Sequence, residues 1–416
     1  MDVEPALTTR GTPIALVYSG RGNEGRGDLT HRLDGQENRT AMTDLRKFRP
    51  ARIVPALAAA AALSALGAPA MGQLPEGLSV HGFMTQAYGR TDEHQILGIG
   101  PAGTADYRVA ALQFRYAYDA RSAFVIQLSH ERIGRSPLGD LEPAVDLDWV
   151  FYEHRFDDYT VARIGKVRNP IGIYNEFRDV GTLLPFYRPP IFLYGEQMYT
   201  SETVDGMTLG RRFPLGDWEL SVDGFAGSWS FVQIDLATKA TVDLGYGAQV
   251  WLQTPLDGLR VGVAGMRYTT RGNVGAPPDV EDQQALVVAS LDGRFGPVGA
   301  RTEFRHVAFG EDEIGYTVTA DAYYGELTLN VTDQLTLMGQ AQWQDLALEI
   351  PAIMLSMDEN LERDLAIGVR YALTPNVVLK LEGHRYRGRS IEDQVIFPWD
   401  ERVGANYALF SVSTSF

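Results

Sequence analysis

Seven short turn signals recur at a spacing of about 40 residues through the last four-fifths of the chain. They are Asp119-Ala-Arg-Ser122, Phe156-Asp-Asp-Tyr159, Pro214-Leu-Gly-Asp217, Pro255-Leu-Asp-Gly258, Gly296-Pro297, Val331-Thr-Asp-Gln334 and Leu373-Thr-Pro-Asn376, with a longer gap between the second and third. About ten residues of alternating apolar and polar character flank each one, so a period holds two strands and one longer connection. Seven tight turns and eight long connections join 16 strands, with both ends on the tight-turn side. The expected fold is all-β, a 16-stranded antiparallel transmembrane β-barrel.

The alternation is explicit in several segments. In Tyr107–Tyr118, Ala110, Leu112, Phe114, Tyr116 and Tyr118 share one face. Leu147, Trp149 and Phe151 oppose Asp146, Asp148, Tyr152 and His154; Val298, Ala300, Thr302 and Phe304 oppose Arg301, Glu303 and Arg305. Leu337, Ala341 and Trp343 oppose Gln340, Gln342 and Gln344, and Val377, Leu379 and Leu381 oppose Lys380, Glu382 and His384. A soluble sandwich would bury the apolar face, whereas a membrane barrel turns it to lipid. Aromatic residues crowd the tight turns (Tyr118, Phe124, Phe156, Tyr159, Phe213, Trp218, Phe295 and Tyr371), as a headgroup girdle requires. The alternate connections are long and mostly acidic, as in Thr269–Asp282 and Arg387–Glu401, and the last alternating segment, Tyr407–Phe416, ends on an aromatic ring. These features select the barrel. The mean hydropathy of −0.14 agrees, because the two faces average out.

One apolar run stands apart. Arg46, Lys47, Arg49 and Arg52 precede Ile53–Gly67, and Ala68-Pro69-Ala70-Met71-Gly72 follows, the pattern of an export signal over residues 42–72. Residues 1–41 are polar and aperiodic, which suggests a mis-assigned upstream start or a disordered extension. No linker interrupts the remainder, so 73–416 is expected to form one barrel domain. Residues 1–73 hold nine of the 37 basic and seven of the 53 acidic residues, leaving 28 against 46, a formal −18. That balance disfavours nucleic acid as a partner. The absence of cysteine suits an oxidising compartment and removes thiolate metal sites.

The connection after the fifth strand is the longest, about 30 residues, and carries Pro170, Pro185, Pro189, Pro190 and six aromatic residues between Tyr174 and Tyr194. So apolar a loop is expected to fold inward and narrow the lumen. Its first part, Gly165-Lys-Val-Arg-Asn-Pro-Ile-Gly-Ile-Tyr-Asn-Glu-Phe-Arg-Asp179, resembles outer-membrane porins of Gram-negative bacteria, in a largely uncharacterised group related to phosphate-selective and general porins. The resemblance implies a diffusion channel with a constriction loop, a homotrimer in contact with outer-membrane lipid and lipopolysaccharide, and no cofactor. Phosphate-selective relatives are associated with a lysine-rich region, and only Lys166, Lys239 and Lys380 follow residue 73 here.

Candidate pore-lining residues are Arg115, Lys166, Arg168, Arg301 and Arg305 on the wall, Arg178 and Arg188 on the loop, and Asp146, Asp148 and Glu303 as acidic counterparts. Opposed charges across a lumen create a transverse field that favours polar solutes. The alternative is that these groups pair with one another. No catalytic or metal constellation is expected: the two GxGxxG matches, Gly20–Gly25 and Gly98–Gly103, lack the strand-to-helix context, and the seven histidines have no metal spacing. Competing readings are a barrel enzyme, for which Ser129-His130 is the nearest pairing, and a closed structural or adhesive barrel.

Overall fold

The computed structural model describes residues 75–136, 145–195, 202–232, 239–271, 281–311, 315–351, 354–388 and 402–416. The extension 1–41, the export signal 42–72, the acidic run Glu311-Asp312-Glu313 beyond its first residue, and most of both long acidic connections lie outside the described residues.

Sixteen strands form among the described residues. They are β1 (Leu78–Thr91), β2 (Thr104–Ala117), β3 (Ser122–Ile133), β4 (Asp146–Arg155), β5 (Thr160–Arg168), β6 (Thr203–Leu215), β7 (Trp218–Val232) and β8 (Lys239–Gln253). Then follow β9 (Arg260–Arg271), β10 (Glu281–Phe295), β11 (Val298–Glu311), β12 (Tyr316–Asn330), β13 (Leu335–Ile350), β14 (Leu355–Thr374), β15 (Val377–Gly388) and β16 (Val403–Ser415). Each pairs antiparallel with its neighbours, and β16 returns to β1 in a register running from Phe83 opposite Ser415 to Thr91 opposite Tyr407. Closure leaves no sheet edge, so every strand has partners on both sides for its backbone N–H and C=O groups. All seven predicted turns separate consecutive strands. The two-residue link Gly296-Pro297 needs glycine, whose φ is +58°.

The two faces sort as the alternation implies. Leu112, Phe114, Tyr116, Leu337 and Leu381 are exposed on the outside, and Gln340, Gln342, Gln344, Glu303 and Arg305 are buried on the inside. All eight turn-proximal aromatic residues are exposed, forming the expected girdle.

Strand β4 departs from its predicted faces. Gln127 pairs with Trp149 but Leu128 pairs with Leu147, so Asp148 is an extra residue in a bulge. The bulge reverses parity along the strand. Trp149 and Phe151, expected outside with Leu147, are instead drawn inside, while Tyr152 stands outside with its ring 5.1 Å from that of Phe124.

Two connections pack against the inner face. Residues 92–103, between β1 and β2, place Ile96 and Ile99 in a cluster with Tyr107, Tyr187 and Tyr407. The GxGxxG segment there is a tight turn, with Ile96 bridged to Ile99 and φ positive at Gly98. Residues 169–195, after β5, add Ile173, Tyr174, Leu184 and a single-turn helix α1 (Ile191–Tyr194) to the same cluster.

Candidate functional site

The long connection begins at a fixed root. Gly165 has φ +130°, and a Cβ there would lie 2.3 Å from the Val150 carbonyl oxygen, so this strand position requires glycine. Lys166 follows on the outward face with Ile164; its Nζ donates to the Leu147 carbonyl at 2.6 Å and stands 3.9 Å from Asp146. Arg168, at the strand's end, lies flat over Trp149 with 4.2 Å from guanidinium carbon to ring centroid. It donates to the Asn175 carbonyl and the Asp179 carboxylate, and stands 3.9 Å from Asp148, which accepts from Gln127 at 2.7 Å. The first turn of the loop is thus built on one buried guanidinium.

From that root the loop meets one wall strand after another. Gly172 N–H donates to Gln249 of β8 at 2.6 Å. Glu303 of β11 accepts from the Ile173 N–H at 2.9 Å, Ser290 Oγ at 2.6 Å, Tyr324 OH at 2.9 Å and the Tyr194 hydroxyl. Burial and the charge of Glu303 hold the Tyr194 hydroxyl well above the ordinary tyrosine range, so it stays a donor. Tyr174 OH donates to Glu326 of β12 at 2.6 Å and accepts from Arg301 at 3.0 Å; Arg301 also pairs with Asp292 at 3.0 Å. Arg305 donates to the Leu193 carbonyl at 3.0 Å. On β15, Lys380 Nζ donates to the Phe186 carbonyl at 2.7 Å and Glu382 accepts the Tyr187 N–H at 2.8 Å. His384 bridges Glu382 and Asp364, at 3.2 and 2.8 Å, beneath Phe186. Arg370 of β14 donates to the Thr182 carbonyl at 3.0 Å.

The loop's own arginines are engaged as well. Arg178 is 2.9 Å from Glu202 and donates to the Tyr194 carbonyl. Arg188 lies over the Tyr107 ring at 4.9 Å, with Glu131 at 4.0 Å. What the loop leaves exposed is Glu176 and Leu183.

Nearer the tight turns the wall from β2 to β7 differs. Glu153, buried on β4, gathers Arg115 of β2 at 3.4 Å, Arg155 at 3.5 Å and Arg163 of β5 at 3.0 Å. Their side chains keep 34, 60 and 35% exposure. Asp223 of β7 lies within electrostatic reach of both Arg163 and the loop's Glu176.

The structure therefore brings Arg301, Glu303 and Arg305 together under the loop, Arg168 and Asp148 together at its root, and Arg115 onto the uncovered wall. Lys166, expected on the lumen wall, instead shares the outward parity of Ile164 on β5 and meets Asp146 at the rim. Glu153, Arg163, Glu176 and Glu326 were missed as site residues. The odd-numbered alternation of β5 carried a signal for Arg163; nothing local marks the others.

A closed 16-stranded antiparallel barrel with an apolar outer face, an aromatic girdle and a charged inner face is the fold of outer-membrane barrels. No family model and no curated protein matches the chain. Solved structures do. A loop-deletion mutant of OmpT, an outer membrane protein of Vibrio cholerae, aligns with TM-score 0.53 and 10% identity over 82% of this chain and 99% of that one. OmpF of Salmonella typhi, in complex with daunomycin, gives TM-score 0.54 and 11% identity over 82 and 97%. The outer membrane channel DcaP of Acinetobacter baumannii gives 0.50 and 9% over 82 and 97%. At these identities the likeness is one of fold.

Proposed function

We propose that this chain is an outer-membrane porin through which small hydrophilic solutes or ions diffuse passively. Residues 169–195 fold into the lumen and form its constriction. A ring of 16 strands is wide enough to leave an aqueous interior, whereas about eight would be filled by side chains. The observation that carries the reading is the tight-turn part of the β2–β7 wall, around Glu153, which the loop leaves uncovered. There three arginines converge on one carboxylate and keep solvent contact, and the loop presents Glu176 towards the same space. Opposed charge of this kind orders water and admits polar solutes. Export through a cleaved signal at 42–72, residence among outer-membrane lipid and lipopolysaccharide, and assembly as a homotrimer belong to the same reading. Support for the trimer is that a solved form of OmpT, which shares the fold, is described as a trimer. The pore requires no cofactor.

Among the described residues the enzyme reading has two serine–histidine pairings to stand on. Ser129 and His130 point to opposite faces, since they pair with Ala111 and Ala110, and His130 accepts from Arg108 on the outside at 3.1 Å. Ser122 Oγ is 3.2 Å from His154 Nδ1, but Ser122 is only 5% exposed and already accepts from Tyr152 OH at 3.1 Å. A nucleophile needs room for its substrate, so the pore is favoured. The test is single-channel current of the refolded chain in a planar bilayer under a salt gradient. Steady ohmic steps are expected, in threes for a trimer; a folded barrel that inserts without current would overturn the pore.

A further inference from the structure

The long-connection end of β15 and the middle of β14 beside it carry arginines that the pore does not use. Arg363 and Arg387 stand directly opposite each other, and Arg385 stands opposite Leu365, two residues nearer the tight turn. All three are exposed on the outward face, above the exposed apolar residues Leu365, Ile367 and Leu381. Cross-strand partners on one face have Cβ atoms about 5 Å apart, and like charges so placed are destabilising.

Several other outward cations at this end have carboxylates. Arg108 and Arg132 share Asp106 at 2.8 and 2.5 Å, and His306 is 2.6 Å from Asp321. Arg363 instead donates to the neutral Asn360 at 2.6 Å, and among the described residues no carboxylate pairs with Arg385 or Arg387. The carboxylates of adjoining strands have other donors: Asp345 accepts from Asn360 and Tyr323, and Asp92 accepts from Asn406. Among the described residues neither carboxylate forms an ion pair with the three guanidiniums.

The height of the patch says what kind of anion it meets. Arg385 and Arg387 are the ninth and eleventh residues of β15, counted from its tight turn. At ~3.3 Å per residue and a tilt of ~40°, they stand about 20–25 Å above that turn, where an apolar band about 25 Å tall ends. Long connections face the outside of the cell, so the guanidiniums lie at the headgroups of the outer leaflet. We propose that Arg363, Arg385 and Arg387 bind a phosphate group of the phosphorylated glycolipid that forms that leaflet. A planar guanidinium fork matches a phosphate's oxygens, and two forks facing across strands accept one anion between them. This assignment rests on the outer-membrane reading above.

The experiment uses the full refolded chain in detergent with bisphosphorylated lipid A as probe and native mass spectrometry as readout. The wild type should retain lipid A, and the R385Q/R387Q variant should bind it at least about tenfold more weakly, as expected when charge-assisted contacts are lost. Lipid A stripped of phosphate should bind the wild type no better than the intact lipid binds the variant. Arg211→Gln, an outward arginine at the tight-turn end, should leave binding unchanged. Undiminished binding by R385Q/R387Q, equal binding of the stripped lipid, or equal retention of phosphatidylglycerol would overturn the site. Heat-shifted electrophoretic mobility reports barrel closure for each variant; were the glutamine pair not to close, the stripped lipid on wild type decides alone. A wild type that closes but never inserts into bilayers would count against the outer-membrane reading instead.

Discussion

On β11, β12 and β15, Glu303, Glu326 and Glu382 are 1, 3 and 2% exposed, while on β2 and β5 Arg115 and Arg163 keep about a third of their side-chain surface. Both sets point inward by the same alternation. The first set is covered by the loop and accepts its N–H and O–H groups; the second faces the space the loop leaves. Inward charge on a barrel wall is therefore of two kinds, anchoring and solvating, and only the second acts on a solute. Breaking an anchor should release the loop without setting ion preference, whereas altering the solvating wall should do the reverse.

The largest effect is expected from Glu303→Ala. The carboxylate accepts four donors, one of them the backbone N–H of Ile173. Each stranded buried donor costs ~1–3 kcal/mol, so the loss is several kcal/mol and falls on the loop as much as on the barrel. Denaturant unfolding in lipid vesicles should show the destabilisation, and single-channel records should become noisier as the loop samples the lumen. Unchanged noise would mean that the loop does not gate the current path.

Glu153→Gln probes the other half. Removing that charge leaves Arg115, Arg155 and Arg163 facing one another without their shared carboxylate. The reversal potential should move severalfold towards anions in permeability ratio, with the noise of the current unchanged. Because Glu153 is buried against the wall, salt screens it poorly, so the shift should persist at 1 M salt, where the Debye length is about 3 Å. A shift that vanished at high salt would place the trio away from the narrowest point.

Much of this architecture was legible because a strand has a period of two and a membrane forbids open edges. Turn spacing alone counted the strands, and alternation placed Arg301, Glu303, Arg305, Gln340 and Glu382 inside. It failed at β4, where the bulge at Asp148 reverses the faces of Trp149, Phe151 and Tyr152; nothing in Leu147-Asp-Trp-Val-Phe151 announces an extra residue. It also could not separate anchors from solvating charges. Glu303 is an anchor through Ile173 and Tyr194, 130 and 109 residues away in the chain, and no local pattern encodes that meeting. The same holds for Arg178 and Arg188, whose positions on the loop suggest exposure but whose guanidiniums are held by Glu202 and by the Tyr107 ring.

The smallest predicted effect belongs to Glu176→Gln. Glu176 is exposed on the loop, and its carboxylate faces the space shared with Arg163 and Asp223. Neutralising it should also favour anions, since one acidic side of the transverse field is lost. Its charge sits in water rather than against the wall, so the consequence should be weaker than that of Glu153→Gln and strongly dependent on ionic strength. With a Debye length of about 10 Å at 0.1 M salt the shift should be measurable, and at 1 M it should nearly disappear. Reversal potentials of both variants at the two salt concentrations separate the cases. If Glu176→Gln were as large and as salt-resistant as Glu153→Gln, the loop carboxylate would be desolvated against the opposite wall, and the two halves of the lumen would close on each other more tightly than their exposures imply.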